Sequence, residues 1–403
     1  MSNWKRTFAF IWSGQMISAL TSSITSFAIV FWLSSKSGSA EVLAYAMIAT
    51  ILPFSILGTF TGVYIDRLNR KKIMIYADLF IALCAGILAI LFSLEAITYW
   101  EIYLLLALRS IGSAFHSPAM QASVPLIAPE DQLMRVAGVG QIIYSISNIA
   151  GPALGAALVV FLKMEHIMLL DIAGALFACS SLLFVKIPSI KKSEDFKPNI
   201  IREIKEGISH LFASRGLNIL LISVIVVTFF MMPVVAMYPL MTLDHFNGDS
   251  YQMGIVEIAW GLGMLAGGAI ANFKVLQTLN RTIIICFTTA VLGASFLLSG
   301  LLSAKQYELF VIITGLSGIA GSLFWSSFTV ILQTKIDPSA MGRAFSIYDS
   351  ISLLPSIPGL LATGYIAKYI GLLNAFIIAG GLTLMIGLIP MLSKSALKVG
   401  KTK

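Results

Sequence analysis

Charged residues are scarce in this sequence. Asp, Glu, Lys and Arg make up only 11% of its 403 residues, where a soluble chain carries roughly a quarter. Cysteine is scarcer still. The three cysteines, Cys84, Cys179 and Cys286, each lie inside an apolar run and form no Cys-x-x-Cys spacing, so neither a disulfide framework nor a zinc site is implied. No Gly-x-x-x-x-Gly-Lys phosphate loop occurs, so ATP is not expected as an internal energy source. No His-Glu-x-x-His occurs either, and His116, His166, His210 and His245 are scattered over loops and span ends. Neither a metal nor an enzyme active site is expected, because no constellation is present to build one.

What the sequence has instead is apolar surface. Hydrophobic residues make up 58%, more than a soluble fold can bury but not more than lipid can cover. With roughly 20 apolar residues per crossing, the hydropathy predicts an all-α membrane protein of twelve spans. They fall at 8–33, 42–64, 73–94, 101–121, 136–162, 167–186, 216–241, 252–273, 282–302, 308–331, 343–366 and 372–393. The first run, Phe8 to Leu33, is too long for a signal-peptide core and lacks a cleavage site, so it is expected to remain as a span. Residues 1–186 are expected to form one six-helix bundle and 216–393 a second, with 394–403 as a cytoplasmic tail. The linker 187–215 between the bundles carries Ile200, Ile201, Ile204, Ile208, Leu211 and Phe212 at amphipathic spacing. That pattern suits a helix lying on the membrane surface.

The net charge of +8 does not point to a nucleic acid, because the basic residues sit in the gaps between apolar runs. With both termini inside, cytoplasmic segments hold 22 of the 27 Lys and Arg, and outer loops hold four: Lys36, Lys163, Lys305 and Lys368. This bias orients the chain with both ends in the cytoplasm; a bacterial cytoplasmic membrane is the expected location. A weak repeat supports two related halves. Gly58-x-x-x-Gly62 returns as Gly263-x-x-x-Gly267 after 205 residues, and Arg135 and Gly151 return as Arg343 and Gly359 after 208. Repeated halves are the usual build of secondary transporters, with the substrate site between them.

The strongest local motif follows span 2: Gly62-Val63-Tyr64-Ile65-Asp66-Arg67-Leu68-Asn69-Arg70-Lys71-Lys72. It resembles the loop 2–3 signature of the major facilitator superfamily. Gly62 permits close helix approach. Asp66 puts a negative charge at the cytoplasmic rim, where a helix N-terminus can accept it, and the basic cluster suits anionic headgroups. Asn69 replaces the usual second Gly and is expected to hold a left-handed turn. The plain alternative is a positive-inside loop. The second copy is degraded, with Asn272 where an acid would sit.

Within the spans, Arg109-Ser110-Ile111-Gly112 matches that superfamily's span 4 pattern. Arg109 reads either as a proton-coupling or cavity-shaping residue or as a structural ion pair with Asp78 or Asp66, since a charge at that depth needs a cavity or a partner. Gly151-Pro152-Ala153-Leu154-Gly155 resembles the antiporter signature of drug exporters, though a Gly-Pro kink is also ordinary in membrane helices. The deeper acids, Glu257 in span 8 and Asp349 in span 11, are the proton-carrier candidates. Asp78 and Asp171 are further proton-carrier candidates, but they lie near span ends and read first as rim or helix-terminus residues. Gln15, Gln141 and Asn148 are candidates for one side of a substrate cavity, and Trp260, Phe324 and Trp325 for the other; packing or lipid contact would explain each equally well.

Further stretches resemble the Mef-type macrolide efflux proteins: Ile11-Trp12-Ser13-Gly14-Gln15, Arg70-Lys71-Lys72-Ile73-Met74-Ile75, Arg109 through Ala119, Phe246-Asn247-Gly248 and Gly263-Met264-Leu265-Ala266-Gly267-Gly268. The resemblance implies the twelve-helix fold and proton-driven drug export without a cofactor, with macrolides as candidate substrates. It also favours Glu257 over Asp349, because Glu257 falls on an acid of that family's pattern. The expected partners are a small amphipathic substrate and membrane lipid, with no nucleic acid and a monomeric chain. An exporter of a siderophore or peptide and a lysophospholipid carrier stay open as alternatives. A non-transporting receptor or immunity protein stays open more remotely.

Overall fold

The computed structural model describes residues 3–65, 68–127, 129, 133–185, 187, 208, 209, 212, 214–271, 273, 279–335, 347, 348 and 350–401. Asp66, Arg67, Asp349 and nearly all of the linker 187–215 lie outside them, as do the side chains of Gln141 and Asn148. The described chain is helical almost throughout, as lipid demands, because only a helix satisfies its own backbone groups without water. The helices are α1 (Asn3–Ser37), α2 (Ala40–Ile65), α3 (Arg70–Ser93), α4 (Tyr99–Ile127), α5 (Leu133–Phe161), α6 (Met164–Leu183), α7 (Arg215–Leu240), α8 (Ser250–Ala271), α9 (Arg281–Leu301) and α10 (Tyr307–Lys335). Next come α11 (Ser350–Leu361), which resumes after a 44° bend as Thr363–Ile370, and α12 (Leu372–Leu392). A short helix α13 (Lys394–Val399) follows.

Among the described residues nine of these are long and apolar enough to span a bilayer, or ten with the bent pair. The remaining two, α4 and α5, complete the twelve. Helix α4 carries Glu101, Arg109 and His116, and α5 carries Gln141, Ser147 and Asn148. Exposed Leu83, Ile90, Leu104, Phe177, Phe287 and Met385 form the outward surface that lipid covers.

The chain divides into two compact units: residues 1–32 with 49–200, and 33–48 with 201–403. In the first, Gly151 and Gly155 bring α5 against α1, since a Cβ at Gly155 would stand 3.0 Å from the Ile24 carbonyl oxygen. Ser23 Oγ donates to the Ser147 carbonyl across the same contact at 2.8 Å. In the second, Gly359 brings α11 against α7 in the same way, 2.7 Å from the Phe229 carbonyl oxygen. The equivalence inferred from the 208-residue offset thus has a packing counterpart.

The two copies of the Gly-x-x-x-Gly pattern differ. A Cβ on Gly263 would overlap the Gly315 carbonyl oxygen of α10, whereas at Gly58 the space within 4 Å is open among the described residues. Gly263→Leu should therefore cost about 1–3 kcal/mol by forcing two backbones apart. Gly381→Ala, whose Cβ would meet Leu297 Cδ1 at an ordinary 3.9 Å, should cost little. Thermal melting of the two purified variants checks this, and equal melting temperatures would contradict it.

Residues 394–400 are more structured than a tail beyond the last span suggests. Ser393 caps α13, which docks on unit 2. Thr282 Oγ1 donates to the Ala396 carbonyl at 2.7 Å, Asn280 Nδ2 to the Leu397 carbonyl at 2.8 Å, and the Arg281 amide to the Gly400 carbonyl at 2.8 Å. These bonds satisfy carbonyls that α13, with no room for internal pairing at its end, would leave open.

Candidate functional site

The second unit carries a partly open cavity of about 390 Å³ lined by α7, α8, α9, α10 and α11. That volume lies within the range of small-molecule sites, about 300–1,000 Å³. The wall follows from helical spacing. Glu257 and Trp260 stand three residues apart on α8 and so share a face, and both line the cavity. Phe324 and Trp325 approach it from α10, with Tyr348 beyond them. Their rings meet edge to face: Phe324 and Trp325 at 5.8 Å, Trp325 and Tyr348 at 6.2 Å between centroids. Met231 and Met232 of α7 add flexible, polarisable surface. At another part of the wall Tyr238 packs against Phe310 at 5.3 Å and Phe376 at 5.4 Å. Among the described lining residues Glu257 is the one acid, and none is basic.

Gln15 goes elsewhere. It is buried in unit 1, where its Nε2 donates to Asp78 Oδ2 at 3.4 Å. The same carboxylate faces His116, whose Nε2 lies 3.3 Å from Asp78 Oδ1. Helix α4 runs to Ile127, so His116 sits well inside it rather than at a span end. Asp78 is 4% exposed and Asp171 1%, so both carboxylates are buried against neighbouring helices. Proximity to a span end along the sequence says nothing of which face is turned inward.

Asp171 supplies the partner of Arg109. Arg109 Nη1 pairs with Asp171 Oδ2, and Ser22 Oγ donates to Asp171 Oδ1 at 2.5 Å. The expected partners Asp78 and Asp66 are thus replaced by an acid on α6. Asp78 is engaged by Gln15 and His116, and Asp66 lies outside the described residues.

At the loop after α2, Asn69 caps α3: its side chain accepts from the Lys72 amide at 3.2 Å, with φ −68° and ψ 108°. The expected left-handed turn at Asn69 is therefore not what forms. Asn suits the position because its side chain pairs an orphan amide of the helix start. Lys71 Nζ donates to the carbonyls of Leu183 at 3.2 Å and Val185 at 2.8 Å. It places a positive charge at the C-terminal end of α6, where the helix dipole favours one. Of the candidate gating residues Gly62, Asp66, Arg67, Arg70 and Lys71, the first lies at the end of α2 and Arg70 opens α3.

A family model described as "Transmembrane secretion effector" matches residues 3–402. The chain is 37% identical over 396 residues to macrolide efflux protein A of Streptococcus pyogenes, covering 98% of this chain and 97% of that one. It is 22% identical over 381 residues to the multidrug efflux pump Tap of Mycolicibacterium fortuitum, covering 91% and 90%. Among solved structures, a POT family transporter in complex with a thioalcohol-conjugated peptide superposes with a TM-score of 0.74 at 12% identity, covering 98% of this chain and 97% of that one. The last supports the fold alone.

Proposed function

Because this chain belongs to the transmembrane secretion effector family of the major facilitator superfamily, we propose that it exports amphipathic drugs, macrolides among them, in exchange for protons. It is a multi-pass membrane transporter and not an enzyme. The observation that carries the reading is the cavity of unit 2, aromatic and thioether-lined, with Glu257 in its wall. Such a lining suits a flat or amphipathic molecule held by dispersion. A carboxylate there can take a proton from one side of the membrane and release it to the other, the exchange that alternating access requires. Asp349 is the second carrier candidate. The relatives named for macrolide and multidrug efflux support the substrate class.

In this reading the chain sits as a monomer in a bacterial cytoplasmic membrane with both termini inside. The linker 187–215 joins two six-helix bundles, and no cofactor takes part beyond the proton gradient. Gly62, Asp66 and the basic cluster after α2 gate the cytoplasmic side, and the Gly151, Pro152 and Gly155 contact on α1 serves as a rocking surface.

Expression in a drug-sensitive bacterium should lower erythromycin accumulation, and a protonophore should abolish the effect. Unchanged accumulation with the protein present in the membrane would reject the macrolide assignment. Extending the assay to other amphipathic drugs, a siderophore and a lysophospholipid separates drug export from the alternatives.

A further inference from the structure

Gln15 and Ser22 stand seven residues apart on α1, and Arg109 and His116 seven apart on α4. Seven residues make two helical turns, about 10 Å of rise, and return to the same face. The structure uses both pairs. At the level of Ser22 and Arg109 the acid between them is Asp171 of α6; at the level of Gln15 and His116 it is Asp78 of α3. Unit 1 therefore holds two polar rungs, one two turns along from the other.

The rungs differ in charge. Arg109 cancels Asp171, and Ser22 Oγ takes up the second carboxylate oxygen, so that rung is neutral as it stands. Asp78 has a long bond from the neutral amide of Gln15 and a histidine whose Nε2 makes no well-formed hydrogen bond among the described residues. With a neutral imidazole, the Asp78 rung carries one net negative charge inside an apolar bundle, an expensive arrangement. One added proton, on the imidazole or on the carboxylate, makes it neutral.

The other groups around it among the described residues leave that count unchanged. From α1 the facing group is Gln15. From α4 it is His116, with Arg109 two turns away and held by Asp171. From α6 it is Cys179, whose Sγ lies 3.8 Å from the Ile75 carbonyl, with Asp171 beyond. On α3 itself Cys84 lies toward Arg109.

We infer that Asp78 and His116 form a second proton-binding site, one proton to the pair, separate from Glu257. The consequence for transport, a second proton in the cycle, rests on the proton-exchange reading above; the binding itself does not.

The test is a proton count on the purified full-length protein in lipid nanodiscs, acidified through neutral pH with a soluble pH indicator. Wild type should take up one proton per chain that Asp78→Asn and His116→Gln each fail to take up over the same range. His116→Gln keeps an amide to face Asp78, so it is judged alone if Asp78→Asn does not fold. A folded His116→Gln or Asp78→Asn that matches the wild-type count overturns the site. The count is repeated in a Glu257→Gln background. There the step should persist, and if it persists while efflux proves independent of protons, the coupling reading fails and the site stands. If the step vanishes with Glu257, the uptake belongs to Glu257 and the second site is refuted.

Discussion

Glu257→Gln should raise drug accumulation to the level of cells lacking the protein, while the variant remains in the membrane at wild-type abundance. The substitution keeps the shape of the side chain and removes only its charge and its proton. In the described wall of the cavity no Lys, Arg or His stands ready to neutralise the carboxylate, so the ionised form depends on water or on a cationic substrate. A permanently neutral amide removes the cost of charge in that wall and with it the exchange of a proton between the two access states. Uphill export is then lost, but binding and passive exchange are not. In proteoliposomes, Glu257→Gln should therefore still exchange labelled drug for unlabelled drug across the membrane without a gradient. Glu257→Asp keeps a proton on a shorter arm and should retain part of the uphill export. Loss of exchange together with export would mean that Glu257 holds the cavity together rather than carrying a proton. Full export by Glu257→Gln would remove it from the cycle.

How far the sequence foresaw this site depended on which element carried each residue. Glu257, Trp260, Phe324 and Trp325 come from two helices whose inward faces are marked by small residues. Gly263 on α8 and Gly315 and Gly318 on α10 bring the backbones together, and the aromatic residues stand on the same helices beside them. The rest of the wall was harder to read. Met231 and Met232 of α7 look in sequence like any apolar pair, and only the packing of Val234, Met237 and Leu240 into the core shows which face turns inward. Unit 1 was less legible still. Position along a span does not reveal the partner of a carboxylate such as Asp171, and the acid that meets Arg109 is set by the rotation of α6 against α4. Helical arithmetic could have hinted at the two rungs, because Gln15 with Ser22 and Arg109 with His116 repeat at seven. No sequence pattern says that Asp78 and Asp171 answer them from different helices. At Asn69 the residue type was legible and the geometry was not, since Asn serves both a left-handed turn and an N-cap.

Arg109→Ala should destabilise the protein by about 3–5 kcal/mol, the cost of leaving one charge of a buried pair without its partner. Arg109 is 6% exposed and Asp171 1%, so water cannot replace the lost guanidinium. Asp171→Ala should do comparable damage from the other side and free Ser22 as well. Removing both charges together is a different matter. Arg109→Met with Asp171→Leu fills the same space with apolar atoms and strands no charge, so the double variant should be more stable than either single one. Thermal unfolding of wild type, Arg109→Met, Asp171→Leu and the double variant in nanodiscs measures this cycle. Strict additivity would mean that the two side chains do not act as a pair. The same double variant separates the two readings of Arg109. If it is stable and exports drug, Arg109 serves to hold α4 against α6 and to neutralise Asp171. If it is stable and does not export, the charge itself takes part in the cycle. The geometry favours the first outcome, because Arg109 is already occupied by Asp171 and lines no part of the cavity that holds Glu257.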